Sequence, residues 1–462
     1  MKAKFAKVLG LALVLALALS GCNLIEIDPR MQADEDIAKI EKAYAAPVAA
    51  YAGGELTAAD VMGDFNNAYN EMATYYSYFG YSMTHDDVHM LVEDVLNQKV
   101  RARVIAEKYD AENSLGEDKL AEVEQSAQEN YDYVREGLLA SAVGDSEEAR
   151  QENLRVLLAQ TGMDYDSIYE SLLLNAKVEA MEEIVRAEIA ELSDEELQTA
   201  YDAHVEEQEI SFTDGSSFEN AMTGEDTVVC WRPDGYRSVK HILVIPEDEI
   251  MSAYSEAASA LSTAQADMQS LEDELAAAND DELAEGERSV EDIQTEMQAL
   301  GATIPAMETA VKTAEQACLD NVKATTDEIY ARLEAGEAFE DLIAEYGEDP
   351  GMQNEPTMTR GYYVSEASQN WEANFRDAAM ALGQAGDYSE APVVSGSGVH
   401  IIYYNGDVAG GAVPLEEVRD ALYAETLEAA QIDHCDATIE DWVEAAAPSY
   451  DVEAFEAALE LE

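Results

Sequence analysis

Between residues 250 and 320, apolar side chains recur at every seventh position. Tyr254, Leu261, Met268 and Leu275 form one series. Val290, Met297, Ile304, Val311 and Cys318 form another, with Ile293, Leu300, Met307 and Ala314 as its companion set. A seven-residue repeat lays these side chains along one seam of a helix, whereas a strand alternates its faces with period two. Two such arms in one chain predict an antiparallel helical hairpin, residues 247–321, turning near Asn279 to Gly286. Pro305 has no N–H to give and is expected to kink the second arm. Heptads of this length pack on themselves, although a client clamp, a partner-docking arm or a homodimer seam would use the same pattern.

The flanks of the hairpin are mixed. From Asp36 to about Glu209 the pattern is helical. Ile168, Leu172, Val178, Met181, Val185 and Ile189 mark one face of a long helix, and Ser193-Asp194-Glu195-Glu196 is a capping box opening the next, with Leu197, Tyr201 and Val205 inward. The segment Phe65 to Met83 carries Tyr69, Tyr75, Tyr76, Tyr78, Phe79 and Tyr81. It is expected to be a helix packed into the core, the other reading being a sticky surface for unfolded chains. Tyr236 to Ile245 and Val399 to Tyr404 read as strands. Thr326-Asp327 is expected to cap a new helix that ends at Gly336, a short helix follows around Phe339 to Tyr346, and Gly347 to Arg360 reads as loop. The tail from Pro414 onward returns to helix. The fold class is α+β.

The chain opens with Lys2, Lys4 and Lys7, then an apolar run from Val8 to Leu19 and Leu19-Ser20-Gly21-Cys22. A basic start, a short apolar core and small residues before a cut site mark a secretory signal, here residues 1–21. The run is shorter than the roughly 20 residues of a membrane span. Its end resembles a lipobox, which implies that Cys22 is diacylated and becomes the new N-terminus, with 22–35 as a tether at the extracytoplasmic face of the cell membrane. The formal net charge is −72, and removing residues 1–21, with three lysines and no acid, leaves about −75. Such acidity argues against nucleic-acid partners, which need a basic footprint. Apart from Cys22 there are Cys230, Cys318 and Cys435, without metal-ligand spacing, so no zinc and no other cofactor is expected. One disulfide among the three is compatible with an oxidising compartment, with the pair undetermined.

Of six histidines, two sit in matching places: His241 in the first strand-like run and His400 at the start of the second. Each is flanked by β-branched or aliphatic residues, so the two could meet on adjacent strands. The order His241-Ile242-Leu243-Val244, Gly336-Glu337 with Phe339, Glu348-Asp349-Pro350, Phe375, and Gly398-Val399-His400-Ile401-Ile402 resembles a parvulin-type peptidyl-prolyl isomerase domain, covering 236–246 and 322–405 once the hairpin is set aside. Only Gly361 is kept of the family's glycine-rich run after the loop. The helical region 36–235 before it and the helical segment 406–462 after it resemble PrsA-type foldase lipoproteins and SurA-type chaperones. In those families the two segments fold together as one chaperone domain with the isomerase inserted.

The resemblance implies that His241 and His400 are paired floor histidines joined by Asp349 in the catalytic cluster. It further implies that Trp371, Phe375, Met380 and Ser397 bind the substrate proline, and that the clients are unfolded or newly secreted polypeptides. An acidic hairpin in place of the family's basic loop argues against phosphorylated substrates. A non-catalytic holdase that uses the same fold for binding is the competing reading. A solute-binding lipoprotein is disfavoured by the missing repeated βα pattern.

Overall fold

The computed structural model describes residues 33–112, 117–160, 163–213, 215–224, 227–280 and 288–459. Cys22, the proposed signal and most of the tether lie outside them. The chain divides into two compact units, one reaching Leu192 and resuming at Thr426, the other Ser193–Glu425.

The first unit is mostly helical, as its periodicity predicts, but it contains a small sheet that the sequence reading missed. Strands β1 (Pro47–Tyr51) and β2 (Gly54–Thr57) form an antiparallel hairpin, and the short C-terminal strand Ser449–Tyr450 pairs with β1 from the other side. The tail also enters the core: Phe455 is fully buried and meets Phe65 edge-on, ring centroids 5.3 Å apart. The expected boundaries at 235 and 406 therefore move to 192 and 426. Residues 193–235 and 406–425 belong with the isomerase-like unit, because Leu197, Cys230 and Leu422 make one buried cluster there.

The aromatic segment corrects the expectation of core packing. Helix Ala58–Tyr78 buries only Ala58, Val61, Met62 and Phe65 in its first half. Its last turn and the turn beyond leave Tyr75 64%, Tyr78 85%, Phe79 54% and Tyr81 71% exposed, with Phe79 packed edge-on against both Tyr75 and Tyr78. The helix outruns the core it starts in, so helical spacing alone could not tell which turns are covered.

In the second unit the heptad prediction corresponds to helices Asp248–Asp280 and Val290–Glu334, packed along their length. Tyr254, Ala264, Leu271, Ile293 and Cys318 are the buried seam. The turn residues 281–287 are outside the described set. The second arm runs through Pro305, and it continues past Thr326, where a new helix was expected. Nothing between Leu319 and Asp327 breaks a helix, and Thr326 bonds back to the Val322 carbonyl at 3.3 Å instead of capping.

The sheet of this unit has four antiparallel strands in the order Tyr362–Val364, Arg237–Val244, Gly398–Asp407, Val393–Ser395. The strands are called β5 (Tyr362–Val364), β4 (Arg237–Val244), β7 (Gly398–Asp407) and β6 (Val393–Ser395), following chain order after the two-residue β3 (Trp231–Arg232). β4 is central and buried from Ser238 to Val244, including the polar Ser238, Lys240 and His241. Helices Phe339–Tyr346 and Ala373–Ala381 cover the sheet. Gly361 joins the short helix Thr357–Arg360 to β5 at φ +77°, and a Cβ there would stand 2.7 Å from the Val239 carbonyl oxygen. Both the backbone angle and the close approach demand glycine.

Candidate active site

Antiparallel register decides which side chains meet. His241 pairs with Ile402 and Leu243 with His400, so both imidazoles stand on one face as a diagonal cross-strand pair. Their Nδ1 atoms are 2.8 Å apart. The loop after helix Phe339–Tyr346 is tied to the end of β4 by the Glu348 N–H, which donates to the Leu243 carbonyl at 2.9 Å. That bond delivers Asp349, whose Oδ2 lies 2.8 Å from His241 Nε2. Both histidines are 4% exposed.

Two further side chains belong to the cluster and were not singled out from sequence. The Tyr362 hydroxyl donates to Asp349 Oδ2 at 2.9 Å. Ser395 Oγ is 2.7 Å from His400 Nε2. Tyr362 directly follows Gly361, yet the run around it departs from the family pattern that would have flagged it. Ser397 was expected beside the histidines, but it is exposed in the Gly396-Ser397 turn between β6 and β7. There its backbone N–H donates to Ser395 Oγ at 3.1 Å. The sheet explains the exchange: Ser395 pairs with Gly398, which puts its side chain on the face of His400, whereas Ser397 has left the strand.

The apolar wall stands over this cluster. Phe375 is 2% exposed and meets both imidazoles edge-on, at 5.4 Å from His241 and 5.1 Å from His400. Trp371 stacks on Phe375 at 5.0 Å and 24°, contacts Tyr362 at 5.0 Å, and anchors its Nε1–H on the Tyr363 carbonyl at 3.0 Å. Met380 belongs to the same apolar cluster on the far end of helix Ala373–Ala381. It also lines a separate cavity of about 660 Å³ with Tyr236, Arg237 and Ser365.

Electrostatics fix the charge states. Burial pushes Asp349 up, but the hydrogen bond and charge of His241, the Gly351 N–H and the Tyr362 hydroxyl outweigh it and hold the carboxyl at about 2. Burial, reinforced by His241, pushes His400 down to about 3, so it is neutral at physiological pH. Asp349 is then an ionised acceptor. If both imidazoles are neutral, one assignment of protons satisfies every contact. The Ser397 N–H donates to Ser395, the Ser395 hydroxyl to His400 Nε2, His400 Nδ1–H to His241 Nδ1, and His241 Nε2–H to Asp349. All donors in this chain point one way, towards the carboxylate. Among the described residues no group of three or more His, Cys, Asp and Glu could hold a metal ion.

A small antiparallel sheet with two facing histidines, a half-buried carboxylate beneath and an aromatic wall above defines the parvulin class of prolyl isomerases. Residues 306–406 match the rotamase family described as the PPIC-type PPIASE domain, so this part of the chain is a parvulin-type peptidyl-prolyl isomerase domain. The match takes in Asp349, Trp371, Phe375 and His400; His241 lies upstream of it, beyond the hairpin. No curated protein matches the chain. Among solved structures, it is similar to the peptidylprolyl isomerase PrsA from Bacillus anthracis at 14% identity, covering 76% of this chain and 97% of that one, with a TM-score of 0.17. It is also similar to the foldase protein PrsA from Streptococcus pneumoniae at 15%, covering 82% and 94%, with a TM-score of 0.23. A SurA-like chaperone from Campylobacter jejuni matches at 15%, covering 79% and 95%, with a TM-score of 0.21.

Proposed function

We propose that this chain is a membrane-anchored extracytoplasmic foldase that isomerises X–Pro bonds in newly secreted polypeptides and chaperones them, held at the cell membrane by a lipidated Cys22. The observation that carries the catalytic half is the His400–His241–Asp349 chain lying against the Phe375 ring, on which Trp371 stacks. Rotation about X–Pro must cross about 18–20 kcal/mol because the planar amide is resonance-stabilised. An apolar wall that takes the proline ring strips water from the amide and disfavours its charge-separated planar form. The polar chain below then offers oriented dipoles to the twisted state, with no covalent step.

In this reading Phe375 and Trp371 hold the ring. His241, His400 and Asp349 set the polarity of the floor, while Tyr362 and Ser395 keep its two ends in place. Because His241 and His400 share one proton between facing nitrogens, the direction of the chain is set by the groups at its two ends, the Asp349 carboxylate and the Ser395 hydroxyl. Ser397 is left with a backbone role only. The exposed ring cluster of Tyr75, Phe79 and Tyr78 supports the chaperone half, since scattered apolar side chains are common on surfaces but a contiguous aromatic group is not.

Two experiments test the proposal. A protease-coupled assay on a proline tetrapeptide should show catalysis that falls at least about tenfold in His400→Ala, and a wild-type rate no faster than background would refute the enzymatic half. Metabolic labelling with palmitate should mark the wild type and not Cys22→Ser; equal labelling of both would refute the anchor. Among the described residues no helix is long and apolar enough to cross a membrane.

A further inference from the structure

Helix Gly215–Thr223 lies outside the stretch that matches the isomerase family, yet it packs in the same compact unit. It carries Glu219, an acid that is only 4% exposed. Three donors converge on this carboxylate. The Ser368 hydroxyl and the Tyr236 hydroxyl, the latter at 3.3 Å, reach Oε1, and the Asn370 N–H reaches Oε2 at 3.3 Å. The neighbouring Asn220 Oδ1 accepts from the Asn370 side chain at 2.7 Å. Ser368 in turn accepts from the Ser365 N–H at 2.8 Å, so the acid organises a whole turn of backbone.

A buried carboxylate is expensive unless fully hydrogen-bonded, and apolar packing would have served a merely filling role better. Burial pushes the Glu219 carboxyl up, and the bonds from Ser368, Asn370 and Tyr236 work against that push. Two of the three donors, Ser368 and Asn370, belong to the segment that leads straight into Trp371. The same helix reaches Trp371 by a second route: Phe218 stacks on Tyr363 at 5.9 Å and 13°, and the Tyr363 carbonyl holds the indole N–H.

We propose that Glu219 is a positioning residue for the isomerase: by fixing residues 365–370 it keeps Trp371 flat against Phe375 and so shapes the pocket that takes the proline ring. The inference rests on the reading of Trp371 as a wall of that pocket.

The test compares Glu219→Ala, Glu219→Gln and Trp371→Ala, alone and combined, in the full chain, using steady-state kinetics on a proline tetrapeptide. The loss of one well-made buried hydrogen bond corresponds to about a fivefold change in binding. KM should therefore rise about fivefold in Glu219→Ala, with kcat kept within about twofold. Glu219→Gln should fall between, because its amide turns a donor towards the Asn370 N–H. In the Trp371→Ala background, removing Glu219 should add nothing. The emission of Trp371, taken as the difference from Trp371→Phe, should shift to longer wavelength in both Glu219 variants.

If Glu219→Ala does not fold, Glu219→Gln alone carries the comparison. An equal rise in KM with and without Trp371 would overturn the proposal, as would a lower unfolding midpoint with unmoved Trp371 emission. Trp371→Ala with unchanged KM would remove the pocket reading, and the proposal with it. Trp371→Ala with raised KM and unaffected Glu219 variants would remove the proposal alone.

Discussion

Asp349→Asn should reverse the proton chain of the active site. The carboxylate now accepts at both oxygens: His241 Nε2–H and the Tyr362 hydroxyl on Oδ2, the Gly351 N–H on Oδ1. If the new amide oxygen stays on Gly351, the amide N–H group faces His241 Nε2, and two donors cannot share that contact. His241 must then carry its proton on Nδ1 and donate to His400, and His400 must protonate Nε2 and donate to Ser395.

The magnitude follows from the charge. Asp349 is held at about 2 against an ordinary 3.8, which corresponds to roughly 2.4 kcal/mol of stability at neutral pH. Because the folded value is depressed, that stability is fully present well above pH 3.8 and is lost as pH falls through 2. The gap between wild type and variant should therefore be about 2 kcal/mol at pH 7 and about half that at pH 3. Nitrogen-15 shifts of the two imidazoles read the tautomers, and urea unfolding at the two pH values reads the gap. Unchanged tautomers in the variant, or a gap that does not narrow on acidification, would refute the reasoning.

Four further outcomes follow. His400, pushed down to about 3 by burial and by His241, should stay neutral from pH 8 to 5 in a nitrogen-15 titration, and its depressed value should make the fold lose stability as pH drops from 6.5 towards 3. Gly361→Ala should lower the unfolding midpoint, with about 1–3 kcal/mol lost to the left-handed backbone angle and the contact with Val239. Phe375→Ala should cost about 3–5 kcal/mol in denaturant unfolding and raise KM, because the ring is both core and pocket wall. Cys230, Cys318 and Cys435, all buried and unbridged, should react with a thiol reagent only when the chain unfolds; fast labelling of any of them in the native protein would contradict the burial that raises their thiols.

Parts of this molecule were legible because a local repeat coincides with a contact. Seam residues such as Ile293 and Cys318 touch the facing helix at every second turn, so their period survives in the sequence. His241 and His400 were legible because each interrupts a strand of aliphatic residues with a group that burial disfavours unless it finds a partner. Asp349 was legible only through the family pattern, since a loop has no period. Tyr362 and Ser395 escaped for opposite reasons: one sits in a run that departs from the pattern, the other is separated from the expected Ser397 by a turn whose length decides which hydroxyl faces the sheet. The exposure of Tyr78 and Tyr81 depends on where the core stops, which has no local signature, and the third strand beside the β1–β2 hairpin comes from the other end of the chain.

The helical hairpin also bears on how the domain assembles. His241 and His400 are 159 residues apart along the chain, and bringing them together means closing that span. At the base of the hairpin the Glu247 N–H donates to Asn321 Oδ1 at 3.1 Å across a separation of 74 residues, and Met251 and Cys318 touch through sulfur at 3.9 Å. Helical hairpins form from near neighbours and form early. Once zipped, this one removes close to half of the intervening chain from the closure, worth about 0.6 kcal/mol per halving. An insertion that separates two strands of this sheet in sequence thus acts as a staple, shortening the search by which β4 finds β7.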